Sequence, residues 1–483
     1  MNLAPPALQN NSGSALTRIL KRVFSFPVAL AGLLAVLVLL TVRSRFDDQD
    51  MWWHLKMGKI ICQTHAIPLQ DFFSYTTHRQ ALIPQEWLSQ AAIYGAYRWG
   101  GYSGLMLWLC LFSAALVVAG YLLCSLYSGN VKVAFAGAMI LWLFATVGFA
   151  IRPHLIGYLL LVVLGLPLLF ALWINCHGSF MLGLILACLF LFTSFFSFQS
   201  GSLVAQNWLP QTRRMLALAI LLSLPALFLN PVGLRQILYP FDTMLNMHTL
   251  LGSVDEWAPL RMTEARGIAL LAVLLCCFLM AVIRRAEIYL DELLLLAIGA
   301  YLAVSHMRML AVFGILAAPI LSRQLSTSWE AYHAEEDRIW QNVLIFGVIF
   351  LTAYLAFPSR QNLEMQVEDQ SPVKAVEFLQ AHPLSGPMLN DYPSGGYLIW
   401  AAPEYPVFID GRTDVYEWSG VLGEFGSWAT LRSDPNLLLQ KYKIAFCLLD
   451  RQAPMARVLP LLPQWKIVYS DERSVIFARS TAP

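Results

Sequence analysis

Charge is what this sequence has least of. Only 13% of its residues are Asp, Glu, Lys or Arg, against roughly 25% in an ordinary soluble domain, and 58% are hydrophobic. A chain surrounded by water throughout is excluded, and lipid is the solvent for most of it. The formal net charge is +2, so the total implies neither a basic nucleic-acid surface nor an acidic partner surface. Cysteine is present eight times but never as CxxC or beside a close His/Cys cluster, which argues against a disulfide framework and a zinc site. Cys110, Cys124, Cys188, Cys276 and Cys277 lie in long apolar runs, where the thiol acts as a small hydrophobe. Gly395-Gly396 is followed by no Lys-Ser/Thr and sits in no GxGxxG pattern, so nucleotide binding is unsupported. The first apolar run lacks a small-x-small cleavage signal and is expected to stay as a span. Internal repeats and low-complexity tracts are missing too.

Apolar runs fill the rest. Stretches long enough to cross a hydrocarbon core, roughly 17 to 25 residues, lie near 24–42, 103–124, 131–150, 179–199, 267–283 and 339–357, with shorter ones at 214–229, 290–305 and 309–323. Arg18, Lys21 and Arg22 precede the first run, and basic residues of short loops gather on the cytoplasmic side. The N-terminus is therefore expected in the cytoplasm, together with Arg213-Arg214 and Arg284-Arg285. One further stretch, Leu155 to Trp173, decides whether those pairs can be inside. As a full span it would put both pairs outside. As a re-entrant pair turning near Gly165-Leu166-Pro167 it leaves both inside, with arms of about 10 residues and ~15 Å that cannot cross alone and need protein around them.

The resulting expectation is a mainly α membrane protein. Residues 1–23 form a cytoplasmic tail whose first twelve residues are disordered, and 24–358 form a bundle of about nine full spans plus the re-entrant pair. Residues 359–483 form a small extracytoplasmic C-terminal α/β domain. Its helices are expected near Pro372–His382 and Asn436–Tyr442. Its strands are expected near Met388–Asn390, Tyr397–Trp400, Val407–Asp410, Ala445–Leu449, Lys466–Tyr469 and Val475–Ala478.

Three segments fall on the outer face in this arrangement: 43–102, 230–266 and the C-terminal domain. The first begins Phe46-Asp47-Asp48-Gln49-Asp50-Met51-Trp52-Trp53-His54. Three carboxylates in four positions are costly at a membrane edge unless they are solvated or bind something. Asp48 and Asp50 share a face of an extended chain and could converge on one cation or proton donor in a helical cap. The plainer account is a solvated loop with interfacial tryptophans as its anchor. Asp71 reads either as a turn initiator or as a binding group. Glu86 begins an interfacial helix over 84–99, where a carboxylate suits the helix dipole. Arg152 reads as a phosphate ligand or as a snorkelling arginine, and His177 as a packed histidine or as a member of a polar site. Glu256, beside Trp257, reads as a substrate contact or a loop residue. His306 and Arg308 are explained nearly as well by a tight turn. Asp410-Gly411-Arg412-x-Asp414 reads slightly better as an internal ion pair than as a site.

Taken in order, these motifs resemble a group of bacterial membrane proteins related to the GT-C glycosyltransferases. The resemblance is carried by Asp48-x-Asp50-x-Trp52-Trp53-His54-Leu55, Ile67-Pro68-x-x-Asp71-x-Phe73-Ser74-Tyr75-Thr76 and Glu86-Trp87-Leu88. It continues through Arg152-Pro153-His154, Leu172-Trp173-x-Asn175-x-His177-Gly178-Ser179-Phe180, Asn230-Pro231-x-Gly233 and Glu256-Trp257. It ends with Gly395-Gly396-Tyr397 and Phe408-Ile409-Asp410-Gly411-Arg412-x-Asp414. It covers nearly the whole chain, and the order is more specific than any one motif. The sequence departs from the pattern between Arg152-Pro153 and Trp173, where it is compressed.

The resemblance implies a polyprenyl-phosphate-dependent enzyme of the bacterial inner membrane. Such an enzyme passes a sugar from a lipid-linked donor to an acceptor glycan, lipid or protein on the outer face. It puts Asp48 and Asp50 at the catalytic position, as base or as ligands of a divalent cation such as Mg or Mn. His54, Asp71, Glu86, Arg152, His177 and Glu256 are then the residues expected around the substrate. The chemistry suits the residues: a carboxylate must deprotonate the acceptor, and a cation must meet the phosphate leaving group. Two other classes compete. A lipid or polysaccharide transporter is disfavoured because charge sits at the ends of the spans. A non-catalytic assembly or sensor protein would use the outer domain to bind a partner.

Overall fold

The computed structural model describes residues 15–163, 167–246 and 257–480. The first twelve residues, the Gly165-Leu166 turn and Glu256 lie outside this set. Helix α1 (Ala15–Val23) breaks at Phe24-Ser25 before α2 (Phe26–Val42). Pro27 falls in the first turn of α2, where a missing N–H costs nothing. The Phe26 N–H is met by Asp337 Oδ2 at 2.8 Å. After α3 (Met51–Thr64) comes α4 (Trp87–Ser128), in which the expected interfacial helix and the following span are one run. The two parts join at Gly101, whose φ of 57° and ψ of −139° turn the axis in a conformation a β-carbon would oppose.

Helix α5 (Val131–Ala145) is capped by Asn130 and runs into a 3₁₀ turn over Thr146–Gly148. The Leu155–Trp173 stretch forms two short helices, α6 (His154–Val162) and α7 (Pro167–Cys176). The run expected through 199 stops at the end of α8 (Phe180–Thr193) and gives way to an antiparallel hairpin, β1 (Phe198–Ser200) with β2 (Leu203–Ala205). Strand β3 (Ile288–Tyr289) adds to β2 in parallel. The other helices of this part are α9 (Pro210–Ala226), α10 (Leu234–Asn246), α11 (Ala265–Ile283), α12 (Leu290–Ser305), α13 (Leu310–Ser326) and α14 (Ile339–Ala356).

Among the described residues, five helical segments are long and apolar enough to cross a membrane: Trp87–Ser128, Val131–Gly148, Ala265–Ile283, Met307–Ser326 and Ile339–Ala356. The other expected spans fold as helices of 14 to 17 residues. The chain is a multi-pass membrane protein. Helix α13 packs on α4 and α5 at its centre. Ala134 and Ala138 of α5 and Ala311, Ala317 and Ala318 of α13 are fully buried there. Small residues let helix backbones approach, which is what holds helices together where lipid is as apolar as leucine.

Beyond Phe357 the chain makes α15 (Arg360–Gln370), α16 (Val373–Ala381), β4 (Met388–Asn390), α17 (Gly395–Ala401), α18 (Thr413–Ser419), α19 (Val421–Ala429) and α20 (Pro435–Lys441). Strands β5 (Phe446–Asp450), β6 (Trp465–Ser470) and β7 (Ser474–Arg479) complete a sheet of order β4-β5-β7-β6, in which only β4 and β5 are parallel. Two expected strands are corrected. Tyr397–Trp400 lies in α17, because a short buried apolar run has no periodicity to separate strand from helix. Val407–Asp410 is extended but joins no ladder. Val407 instead bridges Ser74 of the loop between α3 and α4, accepting the Tyr75 N–H at 3.2 Å and donating to the Phe73 carbonyl at 3.0 Å.

Candidate active site

The acidic loop folds against the turn after α5. Arg152 Nε lies 2.9 Å from both Asp48 oxygens, Nη2 lies 2.9 Å from Asp48 Oδ1, and Nη1 lies 3.1 Å from Asp50 Oδ2. A guanidinium presents its donors in a planar fork, which fits a carboxylate on one edge and leaves Nη1 for a second acid. Asp48 is 8% exposed, and its Oδ1 also accepts the Asp50 N–H at 3.1 Å. The Asp50 side chain keeps 20% of its surface exposed. Asp50 precedes the first turn of α3, yet its carboxylate makes no capping bond to that helix.

One turn further along, His54 is buried, with Nδ1 3.2 Å from Gln90 Nε2. Glu86, at the start of α4, stands between two imidazoles: Oε2 is 4.0 Å from His54 Nδ1 and Oε1 is 3.6 Å from His177 Nε2. His177 Nδ1 accepts the Ser179 N–H at 3.1 Å, so in the neutral ring Nε2 carries the proton and faces Glu86. Burial pushes the Glu86 carboxyl up to about 8, against the pull of Arg308. Burial, then Arg152, holds His54 well below its ordinary value, and burial, then Arg308, lowers His177 to about 3. At neutral pH these three side chains are polar and uncharged.

The C-terminal region presses on the same loop. A β-carbon at Gly411 would lie 1.7 Å from Asp50 Oδ1 and 3.2 Å from Trp53 Nε1. One at Gly396 would lie 2.5 Å from the Gln49 carbonyl. These close approaches are the reason for the glycines. Among the described residues the buried Trp53 indole N–H has no hydrogen-bond partner, which leaves a donor beside Asp50. Asp414 accepts the Tyr239 hydroxyl at 2.8 Å and so ties α10 to α18.

Not every expected residue is at this site. Asp71 is wholly buried and accepts from Arg412 Nη1 at 2.7 Å, from the Ser74 and Thr77 hydroxyls at 2.5 and 2.8 Å, and from the Phe73 N–H at 3.0 Å. Burial alone would raise its pKa, but Arg412 and Ser74 outweigh it and hold the carboxyl below the usual range. With both oxygens used and no exposed surface, Asp71 locks the loop to the C-terminal region and is corrected from substrate contact to structural residue. Glu256 lies outside the described residues. Asp48, Asp50, Arg152, His54, Glu86 and His177 do come together.

Arg308 and Gly411 complete the group. Arg308 read as a turn residue in the sequence, yet its charge bears on Glu86, His54, His154 and His177. The signal that could have found it was an arginine between two apolar helices. In the sequence Gly411 reads only as part of the Asp410–Asp414 ion-pair segment, and its neighbour across the chain shows why it is glycine.

A divalent cation would need the Asp48 and Asp50 oxygens, and Arg152 already holds both carboxylates. Among the described residues no group of three or more His, Cys, Asp or Glu is placed to hold a metal ion. This donor set does not fit a metal, and the cation that these two carboxylates hold is Arg152.

No protein-family model matches the chain, and no curated protein matches it. Solved structures do match. The archaeal oligosaccharyltransferase AglB from Archaeoglobus fulgidus, in complex with an inhibitory peptide and a dolichol-phosphate, aligns over 93% of this chain and 74% of that one, with 11% identity and a TM-score of 0.51. The Archaeoglobus fulgidus oligosaccharyltransferase tethered to an acceptor peptide containing the NVT sequon aligns over 95% and 75%, with 11% identity and a TM-score of 0.50. ArnT from Cupriavidus metallidurans, bound to undecaprenyl phosphate, aligns over 93% and 98%, with 12% identity and a TM-score of 0.44. At such identities the likeness is one of fold. The chain shares its fold with the archaeal oligosaccharyltransferase AglB.

Proposed function

We propose that the chain is a glycosyltransferase of the bacterial inner membrane that moves a sugar from a polyprenyl-phosphate-linked donor to an acceptor on the outer face. The observation that carries this reading is the Asp48–Arg152–Asp50 cluster within a GT-C fold. The outer-face placement follows from the basic residues before α2 and puts 43–102 and 359–483 on one side.

The partly exposed Asp50 is the base and the buried Asp48 positions Arg152. As the acceptor attacks the sugar's anomeric carbon, its proton passes to the Asp50 carboxylate. The new acceptor–carbon bond forms while the bond from that carbon to the phosphate oxygen breaks, and the electron pair stays on the polyprenyl phosphate. Arg152 offsets that charge. His54, Glu86 and His177 supply neutral donors and acceptors for sugar hydroxyls, and the Trp53 N–H adds another.

Turnover of a labelled polyprenyl-phosphate sugar in membranes carrying the protein tests the assignment. Asp50→Asn should lower transfer by about a hundredfold or more with little change in thermal stability, and Asp48→Asn should lower both. Unchanged turnover in both variants rejects the assignment.

A further inference from the structure

A second pair of cations lies beside this cluster. Arg45 leaves the end of α2 and donates from Nη1 to the Thr146 carbonyl at 2.5 Å, while Arg266, in the first turn of α11, donates from Nη2 to Thr146 Oγ1 at 3.3 Å. Both side chains are half-buried, and among the described residues neither pairs with a carboxylate. Glu264, the acid nearest Arg266 in sequence, pairs with Arg261 at 3.3 Å.

Arg45 has an ordinary structural role, because a cation suits the carbonyl end of α5. Arg266 has none. It stands at the N-terminal end of α11, where the helix dipole disfavours a cation, and Glu264 makes no side-chain cap there. It also faces a like charge in a partly desolvated place. One anion would answer all three costs, since it would pair with two guanidinium groups and face the uncapped N–H groups of a 19-residue helix.

The place is informative too. The Arg45–Asp50 strip runs beside the Thr146–Arg152 strip, with the Arg45–Thr146 contact at one end and the Asp48–Arg152 contact at the other. An anion held by the arginines therefore adjoins the candidate active site without occupying it. It lies at the ends of α2, α5 and α11, and the Val131–Gly148 and Ala265–Ile283 segments that meet there are long and apolar enough to cross a membrane.

We propose that Arg45 and Arg266 bind the phosphate group of a lipid at the outer membrane surface. The surface assignment rests on the same orientation as the proposed function, but the site itself requires no sugar transfer. The phosphate could belong to the carrier lipid or to a bilayer phospholipid. The test is native mass spectrometry of the full-length protein in detergent, titrated with undecaprenyl phosphate, with phosphatidylglycerol and with phosphate-free diacylglycerol. Wild type should retain a phosphate lipid over diacylglycerol, and Arg266→Gln should weaken that retention at least tenfold. Because the substitution removes a like-charge neighbour, it should leave the lipid-free melting temperature unchanged or raised. The lipid whose binding falls identifies the source. Binding of both phosphate lipids by the variant at the wild-type level overturns the proposal, whether or not the lipid-free melting temperature falls. A tenfold loss in a protein that never transfers sugar would reject the transferase reading alone.

Discussion

Two arginines in this molecule each hold two aspartates, and they do different work. Arg412 binds Asp410 through Nε and Nη2, at 2.8 and 2.6 Å, and Asp71 through Nη1 at 2.7 Å. Tyr416 closes that group with a 2.5 Å bond to Asp410 Oδ2. All four side chains are buried. Arg152 makes the same kind of bridge between Asp48 and Asp50, but it and Asp50 each keep about a fifth of their surface exposed. A buried bridge with every donor used can only fix geometry. An exposed one keeps an edge for a ligand, and its acid can accept a proton. The chemistry of the residues is the same in both, so access decides the role.

The comparison can be broken or sharpened experimentally. The largest effect is expected at the closed bridge. Arg412→Ala strands two buried carboxylates and should cost about 3–5 kcal/mol, read as loss of folded protein in detergent by size exclusion and thermal melting. Gly411→Ala should follow: its β-carbon meets Asp50 Oδ1, so transfer should fall at least tenfold while most of the folded yield remains. A fully active alanine variant would show that the C-terminal region does not seat Asp50.

The smallest effect concerns the neutral side of the open site. Folded Glu86 holds its proton to about pH 8, whereas the unfolded chain releases it near the ordinary value of 4.5. Between these values the folded state binds more protons, so this group's contribution to stability falls as pH rises. His54 and His177, lowered by burial, act in the opposite sense, and only below their ordinary 6.5. From pH 6.5 to 8 the melting temperature of wild type should therefore fall by several degrees relative to Glu86→Gln. Parallel pH profiles would mean that Glu86 is ionised in the folded protein.

Much of this was legible in the sequence, for identifiable reasons. Apolar runs gave α2, α4, α5, α11 and α14, because length and composition are local properties. The acids that follow the first apolar run stood out because charge is scarce in the chain. What could not be read locally was partnership. Asp71 and Asp50 are both loop aspartates, and nothing near them in sequence says that one is sealed by Arg412 and the other is opened by Gly411. The strand expected at 407–410 failed for the same cause, since its partner is the Ser74 loop rather than a neighbouring strand. Arg308 was hidden by the turn it occupies.

The lock between Asp71 and Arg412 spans 341 positions. During synthesis Asp71 emerges 341 residues before the arginine that seals it. A chain released before Arg412 would carry the loop acids with nothing to seat Asp71 or to crowd Asp50. A loop held this way takes its final shape only once the region around Arg412 has folded against it.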